Sequence, residues 1–143
     1  MAQSRCSAAV SKHLRLEIGG FDVAEIVLNR STPGLRLSGG QNTQARIDVE
    51  GNLSLRRGEA VLLEYGPDRA PQDPRCLVPL LELFGTSVVS AIALTHGEIV
   101  IVFSNGIELR ARASSVGEGW HFLLTRPNQP PLLILHGLAD SIA

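Results

Sequence analysis

The sequence predicts a mainly β domain, or a β-dominated α+β one, made of two antiparallel meander halves with one short helix near residues 73–84. Three observations carry this. Apolar and polar residues alternate with period two in nearly every ordered stretch, the pattern of half-buried strands. Gly, Asn and Pro turn signals separate these stretches at short intervals, so neighbouring strands connect locally and run antiparallel. A single Pro-rich, charged interruption, followed by the only helix signature, divides the chain near its middle.

The elements follow in order. The first dozen residues are small and polar and are expected to be disordered, leaving 13–143 as one β-rich domain with halves at 13–66 and 85–126. Leu14, Leu16 and Ile18 alternate with Arg15 and Glu17 up to Gly19-Gly20. A second strand, Val23–Leu28, precedes the turn Ser31-Thr32-Pro33-Gly34, and a third begins at Leu35 and Leu37 and stops at Gly39-Gly40. Ala45–Val49 and Leu53–Leu55 follow, with Gly51-Asn52 read as a tight reversal between them, and then Ala60–Tyr65.

Gly66–Arg75 holds three prolines and reads as a loop. Asp73-Pro74 is a helix start, with an N-cap carboxylate and proline at the first helical position. Leu77, Leu80, Leu81 and Phe84 then fall at helical spacing, and Gly85 stands where a C-cap glycine would. Pro79 removes one backbone donor, so the helix must start or tighten around it. Four strands come next, at Val88–Leu94, Ile99–Phe103, Ile107–Ala113 and Trp120–Thr125, and Leu132–His136 follows the Pro-Pro breaker.

The two halves align weakly as an internal duplication. Gly20-x-x-Val23…Ile26-x-Leu28 matches Gly85-x-x-Val88…Ile92-x-Leu94 with one inserted residue. Leu35 and Leu37 fall on Ile101 and Phe103, and Ile47 and Val49 on Ile107 and Leu109. The hairpin of the second half fixes its own register. A two-residue Asn105-Gly106 turn would place Ile99, Ile101 and Phe103 on one face with Glu108, Arg110 and Arg112. A three-residue Ser104-Asn105-Gly106 loop, with Gly106 left-handed, pairs Phe103 with Ile107 and keeps every apolar residue on one face. One residue of slip inverts a strand's faces, so the second register is selected.

Composition restricts function more than it assigns it. The 143 residues are 44% hydrophobic, with 13 basic against 14 acidic side chains, and Lys12 is the sole lysine. A mean hydropathy of +0.14 argues against a disordered chain. Near-neutral charge without a basic stripe points away from nucleic acid. No run approaches the roughly 18 apolar residues of a membrane span, and no apolar core of a secretory signal is present in the first thirteen residues. Cys6 and Cys76 cannot form a disulfide framework; they read as free thiols in a cytoplasmic protein, with a single bridge as the alternative.

Catalytic signatures are missing. No Gly-x-Ser-x-Gly elbow, phosphate-binding loop, His-Glu-x-x-His or Cys-x-x-Cys occurs, and Gly19-Gly20 and Gly39-Gly40 read as turn glycines. His13, His96 and His136 lack metal-ligand spacing, so no metal or cofactor is expected. The candidate interaction residues are Glu108, Arg110, Arg112, Glu118, Trp120 and His121. Glu108, Arg110 and Arg112 alternate on the polar face of a strand, facing either solvent or Arg46, Asp48 and Glu50 of the first half. Trp120 and His121 point to opposite faces of their strand; Trp120 anchors the core with His121 solvated, or the pair forms a recognition edge with Glu118, or His121 and Glu118 serve as the base and acid of a hydrolase-type site. Leu132–Leu135 must pack back on the core or add to the sheet edge of another copy, which would make a homodimer.

The segment Leu83-Phe84-Gly85-x-x-Val88…Ile101-x-Phe103-x-Asn105-Gly106-x-x-Leu109, with Glu118-x-Trp120 after it, resembles a family of small bacterial β-rich domains of unknown function. In that family a Gly-x-x-Val strand, a Phe-x-Asn-Gly hairpin and a Glu-x-Trp ending recur. The resemblance covers the second half well and the first half faintly. It implies a β domain similar in size and style to immunity proteins of bacterial toxin systems, and it carries over no catalytic residue. The resulting expectation is a non-enzymatic cytoplasmic domain that acts by binding another protein or itself. The competing expectation is a small-ligand binder with a pocket between the two halves near Trp120.

Overall fold

A computed structural model of the protein describes residues 13–69, 73–115 and 119–136. The alternation becomes eleven strands: β1 His13–Arg15, β2 Asp22–Val27, β3 Gly34–Gly40, β4 Thr43–Val49, β5 Asn52–Arg57, β6 Ala60–Tyr65, β7 Val88–Leu94, β8 Ile99–Phe103, β9 Ile107–Arg112, β10 Trp120–Thr125 and β11 Leu132–His136. They form two antiparallel sheets, one of six strands in the order β1-β7-β8-β9-β5-β6 and one of five in the order β11-β10-β4-β3-β2. The fold is mainly β, with one helix, and neither sheet closes into a barrel.

The order of the strands is reciprocal. The first half contributes the meander β2-β3-β4 to the five-stranded sheet and sends the hairpin β5-β6 to the other. The second half contributes β7-β8-β9 to the six-stranded sheet and sends β10-β11 back. Each visiting hairpin pairs with the last strand of the opposite meander, β5 with β9 and β10 with β4. The strands that align in sequence therefore occupy corresponding places in the two halves.

This exchange corrects the expectation at Gly51-Asn52. That dipeptide is not a hairpin turn, because β4 and β5 lie in different sheets. It is the corner where the chain crosses over, held by Glu50 and Gly51 N–H groups that both donate to the Gly119 carbonyl, at 2.8 and 2.7 Å. Pairing β4 with β5 would have left β9 and β10 without their partners.

The hairpin β8-β9 adopts the bulged register. Ile101 stands opposite Leu109 and Val102 opposite Glu108, which continues to Phe103 opposite Ile107. Gly106 has φ of 86°, and its N–H donates to the Phe103 carbonyl at 3.0 Å. Ile99, Ile101, Phe103, Ile107, Leu109 and Ala111 are all buried. Across the core they join Leu35, Leu37, Ile47, Trp120, Phe122 and Leu124 from the five-stranded sheet. Gly34 begins β3 where a Cβ would come within 2.3 Å of the Ile47 carbonyl oxygen, so the backbones there approach too closely for any side chain.

The helix forms where it was expected but with tighter winding. Pro74–Leu83 is a 3-10 helix, capped by Asp73, whose carboxylate accepts the Arg75 N–H at 3.0 Å. It packs against β6 and β2. Three residues per turn make positions i and i+3 eclipse, so the apolar rows repeat every third residue. Leu77, Leu80 and Leu83 are buried, whereas Leu81 and Phe84, expected inward on an α-helical spacing, stand exposed.

Candidate functional site

The residues singled out from sequence separate into different places. Glu108, Arg110 and Arg112 lie on the outer face of the six-stranded sheet. Arg46 and Asp48 lie on the outer face of the other sheet, so the two charged sets do not meet. Opposite Glu108, Arg110 and Arg112 stand Arg56, Ser54 and Asn52 of β5, respectively. Arg110 is engaged within its own sheet: Nε donates to Glu108 at 2.5 Å and a terminal nitrogen reaches Glu98 at 3.4 Å. The hydrogen bond that Arg110 donates to Glu108 and the charges of the neighbouring Glu108 and Glu98 carboxylates hold its guanidinium above its ordinary pKa. Exposed pairs of this kind contribute no more than about 1 kcal/mol each.

Trp120 belongs to the core and to no surface. It is fully buried, and its indole N–H donates to the Gly97 carbonyl at 2.9 Å. Its position on β10 next to β4 points it between the sheets, where only a large apolar side chain with one satisfied donor fits. His121, the next residue, points outward. Its Nε2 stands 3.4 Å from a Glu50 carboxylate oxygen, with both side chains about two-fifths exposed (39% and 41%). His121 and Glu50 lie on an open strand face, with His121 between Asp48 and Leu135. Glu118, the possible disulfide of Cys6 with Cys76 and the expected disorder of the first dozen residues lie outside the described residues.

Beside His121, Asp48 is the buried charge of the five-stranded sheet's outer face. Arg36 and Arg46 each donate to it at 3.0 Å, one to each carboxylate oxygen. On the other sheet, Asp68 joins two loops. Ser115 donates to it from its hydroxyl and its backbone N–H, and Asn52 donates from Nδ2 at 2.8 Å. These hydrogen bonds, the Ser115 hydroxyl first, hold the Asp68 carboxyl below its usual pKa.

The hollows of the surface are open grooves. One of about 410 Å³ runs along the six-stranded sheet past Asn52, Asp68, Arg110 and Arg112. Another of about 440 Å³ crosses the five-stranded sheet past Arg36, Arg46 and Leu123. The space between the two sheets is filled by Trp120, Phe103 and Phe122, and the groove past Asn52 and Arg110 is lined from both halves of the chain. Among the described residues no group of three or more His, Cys, Asp or Glu side chains converges as a metal site, and no helix is long and apolar enough to cross a membrane.

Two apolar surfaces complete the inventory. On the 3-10 helix Val78 and Leu81, and just past its end the C-cap residue Phe84, are exposed by 50%, 51% and 63%, an apolar set that the α-helical reading of the sequence concealed. A search for three-residue periodicity would have found it. On β11, Leu133 and Leu135 are exposed by 55% and 58%. They stand opposite Leu123 and His121 of β10, while Leu132 and Ile134 stand opposite the buried Leu124 and Phe122. Leu132–His136 thus pairs with β10, one of its two expected arrangements, and among the described residues no strand pairs with its other side.

No curated protein and no solved structure matches the chain. A family model described as a family of unknown function, DUF6188, matches residues 14–135, from β1 into β11. That span takes in both meanders, both exchanged hairpins and the helix, and the chain belongs to this family of unknown function.

Proposed function

We propose that this domain works by binding a protein partner, and that the exposed row of the 3-10 helix is its binding surface. The observation that carries the reading is the pair of apolar rows on one short helix. Leu77, Leu80 and Leu83 secure the helix to the core, while Val78, Leu81 and Phe84 stand outward. A 3-10 helix can bury one row only, and core packing does not require the second to be apolar. Val78 and Leu81 on the helix and Phe84 at its C-cap, each half exposed or more, offer a partner an apolar ridge at the end of the helix.

The ridge is held firmly. Asn105 donates to the Glu82 carbonyl at 3.0 Å, and Arg57 pairs with the Glu82 carboxylate at 3.5 Å. A preorganised apolar anchor with charged neighbours has the anatomy of an interface centre and rim. An accessory or immunity-like role in the cytoplasm, holding a partner rather than transforming a substrate, is the form of action that fits such a ridge.

The test is affinity capture from native lysate with the wild-type chain and with the double variant L81E/F84S. Both positions are exposed, so the variant keeps its unfolding temperature within a few degrees. One stoichiometric protein retained by the wild type and lost by the variant supports the reading. Retention of the same protein by both, or of none by either, refutes it.

A further inference from the structure

We infer that β11 is the dimerisation edge of this protein, and that two copies join antiparallel through it about a twofold axis at Ile134. The argument begins with which edges are protected. An unpaired strand exposes backbone donors and acceptors to any passing strand, and proteins guard such edges with charge, covering elements or bulges. The edge of β6 has the 3-10 helix packed on it. On the outer side of β2, Val23 is bonded through its backbone to Gly85 and Thr86, and Asp22 and Glu25 add charge to that strand. The short edge strand β1 carries Arg15. In contrast, β11 reads Leu-Leu-Ile-Leu-His, with no lysine, arginine, acid or proline among its five residues.

The occupant follows from the sequence of the edge itself. Lacking charge, β11 has nothing with which to select a partner of complementary charge, but it is complementary to itself. Residues directly opposite in an antiparallel pair share a face. The outer face of β11 holds Leu133 and Leu135, and the inner face holds Leu132 and Ile134. A twofold axis at Ile134 sets Leu133 against Leu135 of the second copy, and Leu135 against its Leu133. All five residues then find partners, and both faces continue across the junction. A one-residue shift would oppose Leu133 to Ile134 and turn an outer leucine row against an inner one. An axis at Leu133 would match Leu135 with Pro131, which has no N–H to give.

The product is a ten-stranded sheet spanning two copies. On its outer surface Leu123, Leu133 and Leu135 of each copy merge into one apolar strip of six leucines. An interface built on one five-residue strand pair belongs to the small class, so the dimer is concentration-dependent. It is isologous, as a closed twofold pair must be.

Sedimentation velocity over a wide concentration range tests this with the full chain. The wild type is expected to pass from monomer to dimer. The double variant L133K/L135K sets lysine against lysine across the axis and is expected to weaken the dissociation constant by roughly tenfold or more. The variant L133K/L135E sets lysine against glutamate in the Ile134 register, so it regains the dimer relative to L133K/L135K and loses it again at high salt. Both positions face solvent, and circular dichroism checks that each variant stays folded. A wild type that remains monomeric at its highest soluble concentration overturns the inference, as does a dimer that L133K/L135K leaves intact. Failure of L133K/L135E to recover the dimer overturns the assigned register. None of these outcomes depends on the helix ridge or its partner.

Discussion

Leu83→Ala and Leu81→Ala, two positions apart on one helix, should differ severalfold in cost because the helix is wound with three residues per turn. Leu83 is fully buried, whereas Leu81 is 51% exposed. Truncating a fully buried leucine removes its transfer free energy and leaves a cavity, at about 2–5 kcal/mol. The helix seals the sandwich against β6 and β2, where strands on either side limit collapse, so about 3 kcal/mol is expected for Leu83→Ala. Leu81 has about half its surface in water already. Its truncation forfeits half of a transfer term of roughly 1.5–3 kcal/mol, less the part Ala retains, which leaves under about 1 kcal/mol. For a chain of this length each kcal/mol moves the unfolding temperature by about 3–4 °C. Leu83→Ala should therefore lower Tm by about 10 °C and Leu81→Ala by less than about 4 °C. The chain's one tryptophan reports the transition, since Trp120 is buried in the folded state and enters water on unfolding. Equal losses for the two variants would refute the three-residue phase, because an α-helical stripe through Leu77, Leu80, Leu81 and Phe84 would bury Leu81 as well.

Two further outcomes are expected. Trp120→Phe keeps an aromatic ring in the core but removes the donor to the Gly97 carbonyl. It should cost about 2–4 kcal/mol, combining the lost volume with an unsatisfied buried acceptor, as read by urea unfolding followed by circular dichroism. Asp68 has a folded pKa below its usual value of 3.8, so its contribution to stability is present above that value. It disappears as pH falls through the lower, folded pKa. Asp68→Asn should accordingly flatten the acid limb of the stability–pH profile while changing its neutral-to-alkaline limb little. An acid limb unchanged by the substitution would remove the role given to the Ser115 and Asn52 hydrogen bonds.

The sequence by itself determined the strands, because alternation with period two is a local property that any half-buried sheet must show. β6, β7, β8, β10 and β11 begin and end where apolar runs meet the turn and breaker residues that flank them. The register of β8 with β9 was also legible, since only one loop length puts Phe103 and Ile107 on the same face. The limits of the helix were set by Asp73, Pro74 and Gly85, whose capping preferences act within one turn.

The tertiary structure alone decided three things. It decided that β4 and β5 part company at Gly51, because strand partnership depends on long-range pairing that two adjacent strands do not encode. It decided the winding of the helix, because Pro79 and the single row that β6 and β2 can cover select three residues per turn over 3.6. That choice turned Leu81 and Phe84 outward and created the ridge. It also decided that Trp120 belongs to the core while His121, on the opposite face, meets Glu50. The face a strand residue takes is written in its alternation, but the neighbour waiting on that face is supplied by the other half of the chain.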